Sequence, residues 1–231
     1  MSKKTLLILT ILIAIVNFIS VAYFSLFANR LIRLLTILFY FVLLFNFHQK
    51  YSKYVRLAFI PLIISSVLVF NYENVLFNCL TSLVKIVGYL FLFVIAIKKF
   101  NYSKTNKLIF IFFMFLALLN LYALSQLVHF VEHLNSDYPL HRYVIYTHGI
   151  VLLILCFFTG NANFTKPSKR TLYFSLMVFG FAFSDLSAVL AYYFDILPLS
   201  IFHRFLFVFS CYYSVRYIMT RDYPKVKNYL K

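Results

Sequence analysis

The chain has 231 residues, of which 63% are hydrophobic and only 12% are charged, and its formal net charge is +16. Soluble domains contain roughly 45–50% apolar and about 25% charged residues, so this composition excludes an ordinary soluble globular protein. Hydrophobic runs recur along the whole length and leave no room for a separate soluble domain. We therefore predict a single integral membrane domain covering residues 1–231.

Membrane helices are predicted where about 20 apolar residues lie between polar or basic breaks. Eight such segments fit the chain, which gives an all-α, polytopic transmembrane helix bundle. The second and third segments are short for a span, and Pro61 lies inside the third. The predicted segments are 5–28, 31–47, 57–71, 74–97, 108–131, 143–160, 171–194 and 198–220.

Basic residues test this topology independently, because cationic loops stay on the cytoplasmic side of a membrane. With eight spans, the basic loops near 48–56, 98–107 and 166–170 fall on the same side as both termini. The opposite side holds Arg30, Arg33 and Arg142. We therefore predict that both termini are cytoplasmic. Basic loops beside anionic lipid headgroups also explain the net charge, so we expect no nucleic-acid partner.

Asp185 lies in the middle of the seventh segment, where a carboxylate costs roughly 2.5–3.5 kcal/mol on an insertion scale. Asp195 marks the outer turn, and Arg204 lies about as far beyond that turn as Asp185 lies before it. A helix rises about 1.5 Å per residue, so an antiparallel hairpin places Asp185 and Arg204 at nearly equal depth. Lys85 reaches a similar level, and His148 lies somewhat shallower. We predict that Asp185 faces the bundle interior and pairs with Arg204, with Lys85 as the second candidate partner.

Two interpretations of these charges stay open. Ionisable groups inside a membrane commonly mark a functional cavity, and two cations for one anion leave a positive charge unmatched. Alternatively, the pair between Asp185 and Arg204 only holds two helices together.

The end of the fifth segment carries His129, Glu132 and His133, which match the H-x-x-E-H pattern of a class of zinc enzymes. The two histidines would share one helix face. No later acidic residue is evidently placed as a third ligand, and Glu132 and His133 fall at the predicted outer interface, where polar residues are common. We therefore predict no metal site and no cofactor.

The C-terminal part of the chain contains three notable stretches. They are "RYVIYTHGIVL" with Tyr146, "FGFAFSD" with Gly180, Ser184 and Asp185, and "CYYSVRYIM" with Tyr212 and Tyr213. Their order and membrane context resemble the YhhN family, which includes the lysoplasmalogenases and has an eight-helix architecture. The first half departs from the family's pattern: "AFIPLIISSVLVF" lacks the expected Gly-Asp pair, and "LTSLVKIVGYLFLFVIAI" lacks the expected histidine. Arg216 also stands where the family has glutamine.

The resemblance implies hydrolysis of the vinyl ether bond of a lysoplasmalogen-type lysophospholipid, releasing an aldehyde and a glycerophospho head. In this interpretation Asp185 is the catalytic residue, acting as an electrostatic stabiliser or as the base for water. The residues expected to bind the substrate are Arg204, Lys85, His148, Tyr212 and Tyr213.

The expected partners are membrane lipids, including a lysophospholipid substrate, and the sequence specifies no oligomeric state. The alternative is a non-catalytic lipid-binding or transport protein, or a relative whose charges only hold helices together. The composition is rich in Phe, Ile, Lys and Asn, which indicates a bacterial source and therefore the inner (plasma) membrane.

Overall fold

The computed structural model describes residues 2–46, 52–100, 106–134, 139–165 and 167–220, with the backbone alone at 52, 131–134 and 139. These residues form eight α-helices, and no β-strand occurs among them, which confirms the predicted all-α fold. The helices are α1 (Lys3–Tyr23), α2 (Leu26–Phe45), α3 (Ser52–Leu68), α4 (Val75–Lys99), α5 (Lys107–Leu134), α6 (Pro139–Thr165), α7 (Lys169–Phe194) and α8 (Leu197–Met219), with a short 3-10 turn (Val69–Asn71) after α3.

Each predicted segment corresponds to one helix, with ends that differ by up to five residues, and one such difference moves the break between α1 and α2. The first segment was predicted to extend to residue 28, whereas α1 ends at Tyr23. Ser25 caps the start of α2, because its hydroxyl accepts a hydrogen bond from the backbone N–H of Ala28 at 3.4 Å. Arg30 and Arg33 therefore lie inside α2 as buried residues, not at an outer turn.

Seven of the helices, α1 to α7, are long and apolar enough to cross a membrane, judged over the described residues. The eighth, α8, is more polar, although its 23 residues correspond to about 34 Å of helix. It runs antiparallel to α7 over most of the length of both helices. Ser184 contacts His203 partway along the pair, and Tyr173 accepts a hydrogen bond from Arg216 near the end that is farther from the turn. Helix α8 therefore lies alongside α7 within the bundle.

The distribution of side chains is inverted relative to that of a soluble protein. Large apolar residues such as Leu108, Ile111 and Leu118 are more than half exposed on the outer surface of the bundle. Polar residues instead lie inside, where they hydrogen-bond between helices. Asn17 of α1 donates to Thr36 of α2 at 3.0 Å. This arrangement is expected in lipid, because an apolar solvent favours polar groups that pair with one another. The fold is that of an integral membrane protein.

The bundle is built on the α7–α8 pair, which has the most extensive helix contact. Helix α8 also packs against α1 and α2, while α7 packs against α6. Helix α4 joins α3 to α6, and α5 packs mainly against α6 at the edge of the bundle. That both chain ends lie on one side of the membrane, and that this side is the cytoplasm, stay predictions from the sequence.

Close packing of α7 on α8 depends on a glycine. A Cβ atom built on Gly180 would lie 2.2 Å from the Ser210 Oγ atom but 3.4 Å from the Ser210 Cβ atom. The Ser210 hydroxyl donates to the Leu206 carbonyl at 2.7 Å, which fixes its position. Small residues commonly permit this close approach between membrane helices.

We expect Gly180→Ala to destabilise the fold by on the order of 1–3 kcal/mol, because the new methyl group would overpack against the Ser210 hydroxyl. Adding Ser210→Ala should restore most of the loss, since only the more distant Cβ atom would then face the methyl group. Thermal unfolding of the purified variants measures both effects. Leu172→Ala, at an exposed position of the same helix, is the control. A double variant no more stable than Gly180→Ala would contradict this account.

The connection between α3 and α4 is tied to α2 by an ion pair. The Arg30 guanidinium donates to both carboxylate oxygens of Glu73, and it also donates to the Phe70 carbonyl at 2.9 Å. The Arg30 side chain is buried, whereas that of Glu73 is 57% exposed. The hydrogen bonds from Arg30 lower the pKa of Glu73 below its ordinary value.

A carboxyl group whose pKa is lowered by folding stabilises the folded state above its unfolded pKa, and this stabilisation is lost as the pH falls through the folded pKa. We therefore expect Glu73→Gln to lower thermal stability at pH 7 by no more than about 1 kcal/mol, since the carboxylate is exposed to solvent. The difference from wild type should shrink as the pH falls below the ordinary glutamate pKa of about 4.3, and it should vanish once the pH is below the lowered pKa of folded Glu73. Asp195→Asn, at an exposed acid in the α7–α8 turn, should show no such difference. A gap that persists at low pH would mean that the carboxylate charge is not its cause.

Candidate functional site

Three helices bring titratable side chains together around Asp185 in the bundle interior. Lys85 of α4 donates to the Asp185 Oδ1 atom at 2.7 Å. The His148 Nε2 atom of α6 lies 3.3 Å from the Asp185 Oδ2 atom, an ion-pair distance without the alignment of a hydrogen bond. All three side chains are buried. Asp185 thus faces inward and has a countercharge, as the sequence predicts, and Lys85 and His148 are its neighbours.

Tyr89 completes this group, and sequence reasoning did not identify it. Its hydroxyl donates to the Asp185 Oδ2 atom at 2.5 Å. Its ring stacks on the His148 ring, with centroids 5.7 Å apart and an interplanar angle of 12°. Tyr89 follows Lys85 by four residues on α4, so both side chains project from one face of that helix. The four-residue spacing between Lys85 and Tyr89 is therefore the sequence feature that could have indicated Tyr89.

Arg33 of α2 is the second residue that the sequence analysis did not assign to the site. Its guanidinium lies 5.0 Å from the centroid of the Phe207 ring, in a cation–π contact. It also lies close enough to Asp185 for the two charges to interact. Sequence reasoning placed Arg33 near an outer turn, because it predicted a later start for α2. The cations near the carboxylate are therefore Lys85 and Arg33.

The predicted pairing of Asp185 with Arg204 is wrong. In the described part of the chain, the ion-pair partners of Asp185 are Lys85 and His148, and the Nη1 atom of Arg204 has no hydrogen-bond partner. The prediction that Asp185 and Arg204 lie at equal depth is nevertheless supported. Their neighbours in the chain are Ser184 and His203, and these two residues hydrogen-bond to each other. Asp185 and Arg204 lie at one level but on different faces of the α7–α8 hairpin.

The two tyrosines predicted to bind substrate lie away from Asp185. Tyr212 is buried near the far end of α8, and its hydroxyl accepts a hydrogen bond from Arg216 at 2.7 Å. Tyr213 packs against Phe209, with ring centroids 4.4 Å apart. Helix α8 advances about 12 Å between the levels of Arg204 and Tyr212. The structure therefore brings Asp185, Lys85 and His148 together and leaves Arg204, Tyr212 and Tyr213 outside the group.

A cavity of about 400 Å³ lies between α5, α6 and α7, and both Asp185 and His148 line it. The rest of its wall is mainly apolar and includes Leu124 of α5 and Leu152 of α6. Phe183 also lines the cavity and is 53% exposed on the outer surface, so the cavity opens sideways toward lipid. Its volume lies within the range of small-molecule sites, roughly 300–1,000 Å³.

The H-x-x-E-H pattern, at which the sequence predicts no metal site, falls partly outside the described residues, which exclude the side chains of Glu132 and His133. Among the side chains that are described, no group of three or more His, Cys, Asp or Glu residues is placed to hold a metal ion. His141 lies near the same end of the bundle, where its Nε2 atom is 3.2 Å from the Tyr193 hydroxyl.

The fold and the site together define a helical multi-pass membrane protein with a buried carboxylate at the end of a lipid-facing cavity. Comparisons with protein-family models, with curated proteins and with solved structures gave no match.

The buried ion pair between Lys85 and Asp185 leads to a prediction about stability. Asp185→Asn leaves the Lys85 ammonium buried without a counterion, so we expect a loss of stability of about 3–5 kcal/mol. Adding Lys85→Met should recover most of that loss. Thermal unfolding of the two single variants and the double variant, in one detergent, gives the coupling energy between the two positions.

The matched control combines Asp185→Asn with Arg204→Met. We expect a much smaller coupling energy in that cycle, because Arg204 makes no ion pair with Asp185 within the described part of the chain. A larger coupling energy for Arg204 than for Lys85 would overturn the pairing described above.

Proposed function

We propose that this chain is a membrane-embedded hydrolase of a single-chain lipid, and that the bond it cleaves is the vinyl ether of a lysoplasmalogen. One observation carries the proposal. Asp185 and His148, a carboxylate and an imidazole within 3.3 Å of each other, line an apolar cavity that opens toward lipid. The resemblance to the YhhN family, itself a prediction from the sequence, supplies the choice of bond.

The cavity suits a lipid with one hydrocarbon chain. Its aliphatic wall, including Leu152, Val189 and Leu190, is a favourable environment for that chain, and its polar end is formed by Asp185 and His148. A substrate entering sideways past Phe183 would bring the bond beside its head group toward these two side chains.

Hydrolysis of a vinyl ether begins with a proton transfer to the carbon of the double bond that is not attached to oxygen. This step produces an oxocarbenium ion, water adds to its positive carbon, and the resulting hemiacetal separates into an aldehyde and an alcohol. The chemistry therefore needs a proton donor, a negative charge near the cation and a base for water.

His148 and Asp185 match these needs. We assign His148 as the proton donor, because it borders the cavity and an imidazolium is a common proton donor in enzymes. Asp185 stays anionic beside Lys85, so we assign it to stabilise the oxocarbenium ion and to accept a proton from water. Lys85 and Tyr89 hold the carboxylate in place from α4, and we class both as positioning residues.

A second candidate is a lipid-binding or transport protein without catalysis. The observation that favours it is the full set of partners around Asp185, since Lys85 and Tyr89 already satisfy both carboxylate oxygens. A carboxylate held in this way also serves to fasten α4 to α7. Vesicle uptake of the lipid without breakdown is the property that separates this candidate from a hydrolase.

The test is an assay of purified protein with a lysophospholipid carrying a vinyl ether chain, with the released aldehyde as the readout. We expect Asp185→Asn and His148→Gln each to lower the rate by about 10²-fold or more, the usual range for a lost acid–base group. Asp195→Asn, at the exposed acid of the α7–α8 turn, should keep the wild-type rate.

The substrate control is the saturated alkyl ether of the same length, which has no double bond to protonate and should release nothing. Folded yield and thermal stability must be measured for each variant, because Asp185→Asn also removes a buried charge. An unchanged rate in well-folded Asp185→Asn protein would remove Asp185 from the mechanism. Lipid uptake by wild-type protein without any aldehyde release would favour the second candidate.

A further inference from the structure

The inner part of the bundle near α2 and α8 carries more positive than negative charge. Among the described residues of this region, the buried cations are Arg30, Arg33, Lys85 and Arg204, and the acids paired with any of them are Glu73 and Asp185. Arg30 is bound to Glu73, and Lys85 is bound to Asp185. Arg33 has an aromatic neighbour in Phe207.

Among the described residues, Arg204 has no acidic partner, unlike Arg30 and Lys85, and no cation–π contact, unlike Arg33. Its side chain is about 6% exposed, and the Nη1 atom is buried without a hydrogen-bond partner among the described residues. The charges that act on it most strongly, those of Arg33 and Arg30, are repulsive. An unpaired cation inside a membrane is expensive, and such residues usually face a partner or a water-filled space. The unmatched guanidinium therefore indicates that an anion belongs beside it.

The space beside Arg204 is a cleft of about 300 Å³ between α1 and α8. Apart from Arg204, its walls are Ala14 and Phe18 of α1 and Pro198, Ile201, Phe202 and Phe205 of α8. It shares no lining residue with the cavity at Asp185. Pro198 lies in the first turn of α8, so the cleft extends from the membrane interface inward to the guanidinium.

The cleft therefore suits a ligand that has both an anionic group and a hydrocarbon chain. A guanidinium binds phosphate oxygens through paired N–H donors, and the Arg204 charge is unmatched. The aromatic and aliphatic walls, such as Phe18 and Phe202, are exposed toward lipid and suit a hydrocarbon chain. Because the cleft reaches the interface, the phosphate of a phospholipid can meet Arg204 while its chain lies against α1 and α8.

We propose that the α1–α8 cleft is a binding site for an anionic phospholipid, whose phosphate is held by Arg204. The site is separate from the Asp185 cavity and does not depend on the function proposed for that cavity. It fixes α1 against α8 by supplying an acceptor for the buried Nη1 atom of Arg204, which has no hydrogen-bond partner in the described part of the protein.

The natural chain contains no tryptophan, so Phe202→Trp introduces a single fluorescent reporter into the cleft. The protein is placed in phosphatidylcholine bilayers, and a fraction of the lipid is replaced by dibrominated phosphatidic acid or dibrominated phosphatidylcholine, which quench tryptophan on contact. We expect phosphatidic acid to associate with the reporter site about fivefold more strongly, the effect of roughly 1 kcal/mol for one arginine facing additional lipid charge.

Two Arg204 variants and a tryptophan placed outside the cleft serve as controls. In Phe202→Trp protein, adding Arg204→Gln should abolish the preference for phosphatidic acid, and adding Arg204→Lys should retain part of it. Phe115→Trp places the reporter on the exposed face of α5, where we expect both lipids to quench equally. Phe202→Trp and Phe115→Trp can be compared while Arg204 is intact. This comparison therefore tests the lipid site even if Arg204→Gln protein fails to fold.

Equal quenching by the two lipids at Phe202→Trp would overturn the proposal, as would a preference that survives Arg204→Gln. Inorganic phosphate at millimolar concentration should leave the preference unchanged. Loss of the preference on adding inorganic phosphate would show that the cleft takes a free anion, which contradicts a lipid site.

Discussion

The structure depends on the burial of one carboxylate inside a membrane. Asp185 is tolerable there because Lys85 donates to one of its oxygens and Tyr89 donates to the other, at 2.7 and 2.5 Å. A buried charge without such partners would cost several kcal/mol. Lys85 and Tyr89 come from α4, and His148, the other neighbour of Asp185, comes from α6, so neutralising this α7 carboxylate also sets how the three helices meet. The same contacts bring His148 to the edge of a lipid-facing cavity.

The short stretch of α7 from Gly180 to Asp185 makes contacts on two different faces of the helix. Gly180 and Ser184 face α8, where the glycine permits close packing and the serine hydroxyl bonds to His203. Asp185, the next residue, points instead toward α4 and α6. Successive residues of a helix are turned by about a quarter of a circle or more, so neighbours in sequence face different helices. The stretch therefore couples the packing of α7 on α8 to the position of the carboxylate.

The two clefts described above differ in character and share no lining residue. The cavity between α5, α6 and α7 ends at a carboxylate and an imidazole, which can exchange protons, and this supports the proposed chemistry. The cleft between α1 and α8 ends at the Arg204 guanidinium, which holds its proton and serves to attract an anion. The chemical difference between these end groups favours a reaction in the first and binding in the second.

The sequence by itself determined the class of fold, because apolar runs of membrane length specify helices whatever their neighbours are. It also determined that Asp185 and Arg204 share a depth, since the rise of a helix fixes distance along its axis. It did not determine which way each side chain faces, and therefore paired Asp185 with Arg204. Only the tertiary structure decided that Lys85, Tyr89 and His148 surround the carboxylate, because this depends on which helices pack against each face of α7. Pairing in a membrane is set by that arrangement of faces, which no spacing along a single chain records.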